Sequence, residues 1–222
     1  MLSSDNEEEA ESLCAKLAIG AIKTAKTIKT RIRIIMAIVI SDHTPASNRY
    51  IDKLRLVTGD ICDQEVDAII TMIPQNLEYT GRINQAVLKR AGNELDSFIL
   101  ENMYKPKAGD VYALPGFGLP CKNIIMAVRP QWKSDFERED KHLVTCVRKS
   151  IVLAKCMLLK SVALPPLASG RHGYGKGRAA RLSIQAILDR LDERMEEVRI
   201  ICPDNETYQA YKERLMAKGW RG

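Results

Sequence analysis

The chain has 222 residues and a mass of 24.9 kDa, with 45% hydrophobic and 28% charged residues. That is enough for one full-sized core with an appendage, and it excludes a globally disordered or collagen-like chain. Lys and Arg number 34 against 28 Asp and Glu, a formal charge of +6, which favours anionic partners without choosing among nucleotides, nucleic acid and acidic membrane surfaces.

The first twelve residues carry five acids and no base, the wrong sign for a secretion or transit signal. Residues 13–33 carry six bases and no acid. Residues 8–30 read as a helix with a lysine-rich side (Lys16, Lys23, Lys26, Lys29). Such a helix either packs on the adjoining domain or offers a basic face to RNA or a membrane surface. Arg31–Ile40 reads as a strand, and its apolar stretch Ile34–Ile40 is far too short to span a bilayer. Ser41–Asn48 reads as a linker, so residues 1–48 form an N-terminal extension and 49–222 the main domain.

From Tyr50 onward strands and helices alternate. Strands are expected at Leu54–Val57, Ala68–Met72, Asp110–Leu114, Ile124–Val128, Ser161–Pro165 and Val198–Cys202. Helices are expected at Arg82–Ala91, Leu95–Met103, Glu139–Lys160, Ala179–Glu193 and Glu206–Ala217. In the longest of these, Leu143, Val147, Ile151, Ala154 and Leu158 recur at three- and four-residue steps. Strands separated by such helices predict a three-layer α/β domain with a sheet covered on both faces.

Six widely spaced cysteines and three histidines offer no CxxC and no clustered ligands. No metal and no cofactor is expected, and the thiols are read as reduced and buried in a cytoplasmic protein, with the nucleus left open.

Open α/β sheets bind ligands beyond the carboxyl ends of their strands. Two loops there stand out for glycine. Thr58-Gly59-Asp60-Ile61 follows the first strand, where Gly59 permits a tight turn and Asp60 is either a ligand acceptor or a turn cap. Leu164-Pro165-Pro166-Leu167-Ala168-Ser169-Gly170-Arg171-His172-Gly173-Tyr174-Gly175-Lys176-Gly177 runs from a strand into a helix. Its backbone N–H groups and the helix N-terminus suit an anion, with Arg171, Lys176 and Arg178 adding charge. It is neither a Walker A loop nor a GxGxxG turn.

From about Lys53 to Leu215, roughly three quarters of the chain, the order of segments resembles the macro domain, the ADP-ribose-binding module. The segments are VTGDI, VDAII, LKRAG, KAGDVYALPGFGLPCKNIIMAVRP, PPLASGRHGYG and VRIICPDNETYQAYKERL. The resemblance is to the bacterial-type branch of O-acetyl-ADP-ribose deacetylases and ADP-ribosyl hydrolases, and implies a three-layer α/β/α fold around a mixed sheet. It places Asp60 on the adenine amine and Ile61 beside the adenine. It places Ser169, Gly170, Arg171, His172, Gly173 and Tyr174 around the diphosphate and distal ribose.

The chain departs from the family where hydrolytic members carry an Asn-Ala-Ala-Asn run, a glycine-rich loop and an aspartate. Here stand Thr71-Met72-Ile73-Pro74, then Tyr79-Thr80-Gly81-Arg82, then Asn84. Pro74 has no side-chain amide and no backbone donor. Tyr79 and Arg82 bring bulk where bare backbone should meet phosphate, and Asn84 is no carboxylate base. Arg82 is a candidate phosphate partner in compensation. No catalytic residue is assigned.

Three functions follow. The first is binding of ADP-ribose, a related nucleotide or an ADP-ribosylated protein by a domain that has lost the usual hydrolysis. The second is a hydrolase with another base, Asp110 or Glu78. The third is an RNA- or protein-interaction module with a vestigial pocket.

Overall fold

The computed structural model describes residues 48–79, 81–103, 105–129, 136–167 and 175–222. The expected helix and strand before residue 41, and Cys14, lie outside them. A short 3-10 turn, Asn48–Lys53, leads into β1 (Leu54–Thr58). Ile51 of that turn is already part of the core. The strands β2 (Ala68–Pro74), β3 (Val111–Pro115), β4 (Asn123–Arg129), β5 (Ser161–Leu164) and β6 (Glu197–Cys202) complete one sheet in the order β1-β6-β5-β2-β4-β3. All neighbours are parallel except β3, which runs antiparallel to β4. The helices are α1 (Arg82–Ala91), α2 (Asn93–Asn102), α3 (Phe136–Cys156), α4 (Lys176–Leu188) and α5 (Asn205–Met216).

Side chains alternate across a pleated strand, so a strand covered on both faces needs apolar residues throughout. β2 shows the consequence: Ala68, Ile70 and Met72 join the core beneath α3, α4 and α5, while Ile69 and Ile73 join the core beneath α1 and α2. β4 divides in the same way, with Ile125 and Ala127 on one side and Ile124, Met126 and Val128 on the other. The three-layer architecture expected from the sequence is therefore present.

Two helices end earlier than their apolar periodicity predicts. α3 stops at Cys156, where Leu158 N donates to Lys155 O and Leu159 N to Ala154 O, with Leu158 at φ 59°. This is a Schellman close in which leucine takes the left-handed position usually given to glycine. α4 stops at Leu188 and not near Glu193. Asp189 keeps helical φ and ψ with its N–H on Gln185 O, but Arg190 N donates to Ile187 O and tightens the turn, while the Asp189 carboxylate pairs with Arg148 of α3. α5 ends with the same hydrogen-bond pattern around Gly219, at φ 95°, which turns Trp220 inward. The buried indole then donates to Leu54 O at 2.9 Å, tying the carboxyl end to β1.

Candidate functional site at the carboxyl edge of the sheet

The parallel strands end together. Thr58 pairs with Cys202, Leu164 with Ile200 and Pro74 with Arg129, so the segments after β1, β2, β4, β5 and β6 leave one edge of the sheet. That edge also receives the N-terminal ends of α1, α4 and α5, where the helix dipole favours negative charge; at α5 the Asp204 carboxylate already caps Thr207 N.

After β1 the chain turns sharply. Gly59 N donates to Cys202 O at 3.1 Å, pinning the turn to β6. Gly59 is not in the left-handed region, and a Cβ built on it meets nothing within 4 Å. The turn expected here is present but does not require glycine, and its bare backbone faces open space. Asp60 is exposed and caps the following 3-10 turn, its Oδ1 accepting from Cys62 N at 2.9 Å. Ile61 is buried in the α1–α2 side core. Asp60 is therefore a cap whose exposure leaves its carboxylate reachable from the sheet edge.

Of the diphosphate loop, Ser169, Gly170, Arg171, His172, Gly173 and Tyr174 lie outside the described residues. Its flanks are placed. Leu167 is buried and Gly175 caps α4. Two of the three cations expected to serve this loop are engaged elsewhere. Lys176 Nζ reaches Asp204 Oδ1 at 3.1 Å and Glu206 Oε2 at 2.7 Å. Arg178 makes a forked contact with Asp140, Nε–Oδ1 3.2 Å and Nη2–Oδ2 2.8 Å. These pairs dock α4 against α5 and α3, and their charge is largely offset.

After β2 the departures from the family pattern become structural. Thr71, Met72, Ile73 and Pro74 are the last four residues of β2, all buried and paired in register with Met126 to Arg129. Pro74 sits at the strand end, where a missing N–H is tolerated. Leu77 N closes a turn on Pro74 O at 2.9 Å, and Leu77 itself sits at φ 60°, a conformation that strains a bulky side chain.

Tyr79 packs against the α1–α2 side core. Burial, and then the Asp96 charge, push its phenol well above the usual range. Its bulk is thus turned inward, which corrects the expectation that it fills the phosphate approach. Gly81, at φ 88°, caps α1, and Arg82 follows it exposed, with no hydrogen bond or ion pair to any described residue. Asn84 Nδ2 donates to Met72 O at 2.7 Å, so the side chain at the aspartate position fastens α1 to the end of β2.

The two alternative bases are less well placed. Asp110 Oδ2 accepts from Lys107 N at 2.8 Å and from the Tyr112 hydroxyl at 3.4 Å, beyond β4 at the rim of the sheet. Glu78 is exposed, in the turn before α1. Sequence reasoning passed over Arg129, half-buried at the end of β4 opposite Pro74, where desolvation lowers its guanidinium pKa. Its position just before Pro130, at the end of an apolar run, was the available signal.

Comparison with known proteins agrees with this architecture. The sequence model of the macro domain family matches residues 73–183. A macro domain-containing protein of Methanosarcina mazei is 30% identical over 74% of this chain and 89% of its own length. An O-acetyl-ADP-ribose deacetylase of Salmonella newport is 27% identical over 75% of this chain and 96% of its own. Among solved structures, the Oceanobacillus iheyensis macrodomain with ADP superposes with a TM-score of 0.67 at 27% identity, covering 74% of this chain and 90% of that one. The Trypanosoma brucei macrodomain in complex with ADP-ribose shares the fold, with a TM-score of 0.65 over 89% of this chain and 94% of that one, at 17% identity. With the family match and the layered fold in agreement, the chain belongs to the macro domain family.

Proposed function

We propose that this protein binds ADP-ribose or a closely related ADP-ribosyl nucleotide at the carboxyl edge of its sheet and does not hydrolyse it. Asp60 accepts the adenine amine, Ile61 lies beside the base, and Ser169 to Tyr174 close on the diphosphate. Arg82, exposed at the first residue of α1, supplies a guanidinium to a phosphate or distal ribose oxygen. The recipient is free nucleotide or an ADP-ribosylated protein. Residues 49–222 constitute the macro domain, and residues 1–48 are an extension to it.

The observation that carries the loss of hydrolysis is the bond from Asn84 to the Met72 carbonyl. A general base must take a proton from water. A carboxamide is not basic, and this one is already committed as a donor to the backbone. Buried Ile73 and Pro74 likewise offer no amide to hold a ribose. The test is a single-turnover incubation of stoichiometric protein with O-acetyl-ADP-ribose, following acetate release. The expected rate equals that of the buffer blank. A rate well above the blank that is abolished by Asp110→Asn or Glu78→Gln establishes the alternative hydrolase reading instead.

A further inference from the structure

A second place on the molecule gathers positive charge. Between α3, α4 and α5, on the outside of the helical layer, lies a cleft of about 370 Å³. Its walls carry Arg148, Arg181, Arg214 and Lys218, together with Gln185, and no acidic residue lines it. Its apolar part comes from Val144, Leu182, Ile184 and Ala217.

The cations are held in different ways. Arg148 is paired with Asp189, which is buried and also accepts from Gln185 Nε2 at 2.7 Å. Lys218 Nζ donates to Gln185 Oε1 at 2.6 Å. The Gln185 amide is therefore used at both ends, and it positions the ammonium without neutralising it. Arg181 and Arg214 are exposed and have no hydrogen bond or ion pair with any described residue. Asp189 offsets Arg148, which leaves three cations around one apolar edge without an acid to balance them. Like charges held together repel unless an anion joins them.

The cleft is separate from the sheet-edge site. α5 starts at that edge with Asn205, and Arg214 lies nine residues further on, about 13 Å along the helix at 1.5 Å per residue.

We propose that this cleft is a second binding site, for a small organic phosphate of mononucleotide size. The guanidinium groups of Arg181 and Arg214 take the phosphate, because a planar fork matches two of its oxygens. Lys218 contributes a point charge, and the apolar edge formed by Val144, Leu182 and Ala217 receives the apolar or aromatic body of the ligand. The volume argues for such a body, since small-molecule pockets begin at roughly 300 Å³ and a bare phosphate needs much less.

The experiment uses AMP as the probe on the full chain, by equilibrium dialysis, alongside photo-crosslinking with 8-azido-AMP and peptide mapping. Expected are a crosslink in the peptides spanning residues 181–220 and an AMP affinity at least tenfold weaker in the Arg181→Ala/Arg214→Ala double variant. Both substitutions are at exposed positions, so the melting temperature should be unchanged. Asp60→Asn should leave this crosslink in place, which separates the cleft from the sheet-edge site and its failure from failure of the ADP-ribose assignment. Crosslinking confined to residues 54–79 or 161–178, or an unchanged affinity in the double variant, overturns the proposal. Inorganic phosphate competing as well as AMP also overturns it, since the apolar edge would then do nothing. So does an unphosphorylated hexanucleotide binding tighter than AMP, which would make the face a nucleic-acid surface.

Discussion

The side-chain amide of Asn84, in the first turn of α1, donates to the carbonyl of Met72 at the end of β2 over 2.7 Å. A carboxylate at this position has nothing to donate. In Asn84→Asp the ionised side chain faces a carbonyl oxygen, and stability at pH 7 should fall by about 1–2 kcal/mol, the scale of a lost hydrogen bond with repulsion added. The protonated acid can donate, so the folded-state pKa of the new aspartate is raised. The destabilisation is then full above that raised value and shrinks as pH falls toward about 4. Urea melts of both proteins at pH 7 and pH 4.5 measure this. An equal deficit at both values would mean the bond to Met72 does not matter.

Asp60 caps the 3-10 turn and, in the proposed function, also accepts the adenine amine; substitutions separate the two roles. Asp60→Asn keeps an oxygen to cap the 3-10 turn through Cys62 N, so the fold should be held within a few tenths of a kcal/mol. The acceptor for an adenine amine becomes weaker and uncharged, and ADP-ribose affinity should drop about tenfold. Asp60→Ala should lose both, with stability lower by about 1 kcal/mol. Thermal melts with and without ADP-ribose distinguish the two variants.

Acid should loosen the opposite edge of the sheet. Asp67 accepts from Lys122 Nζ, Lys160 N and Ser161 N, and the Lys122 bond is the largest cause that lowers its pKa to about 2. An unfolded aspartate titrates near 3.9. The stabilisation is thus present above about pH 4 and disappears as pH falls from there toward 2. Lys122 is exposed, so a contribution of about 1–2 kcal/mol is expected after solvent screening. Asp67→Asn should lower stability by that amount at pH 7 and flatten the acid limb between pH 4 and 2. Asp204, also lowered to about 2, titrates in the same interval, so the difference between wild type and variant is the quantity to read.

The described cysteines Cys62, Cys121, Cys146, Cys156 and Cys202 are free and buried. Burial pushes the Cys62, Cys146 and Cys202 thiols up to about 12. Because the thiolate is the nucleophile, native alkylation at pH 8 should be at least a hundredfold slower at these positions than in urea. Peptide-resolved mass spectrometry checks each one. Rapid native labelling of Cys62, beside Asp60, would show that the turn after β1 opens.

Much of the fold was legible because its physics is local. β2 and β4 are apolar at nearly every position, and only a sheet buried on both faces asks for that. The ends of α3 and α4 were less legible. Leu158 carries none of the signals of a left-handed cap, and the close of α4 at Asp189 goes with a side-chain pairing to Arg148, 41 residues away in the chain. The turn at Asp60 could be read from one Gly-Asp pair after a strand. The destinations of Lys176 and Arg178 could not, because Asp204 and Asp140 lie far along the chain and only the packing of α4 brings them close. The direction of Tyr79 was illegible for the same reason: an aromatic just before α1 points wherever the core beneath α1 and α2 leaves room.

The central claim is that a macro domain without its carboxylate still holds ADP-ribose. Calorimetric titration of the purified full chain with ADP-ribose tests it most directly, with NAD as comparator. One equivalent of ADP-ribose binding at micromolar affinity, unchanged in Arg181→Ala/Arg214→Ala and weakened in Asp60→Asn, is the predicted result. No heat with ADP-ribose, or equal binding in wild type and Asp60→Asn, would contradict it.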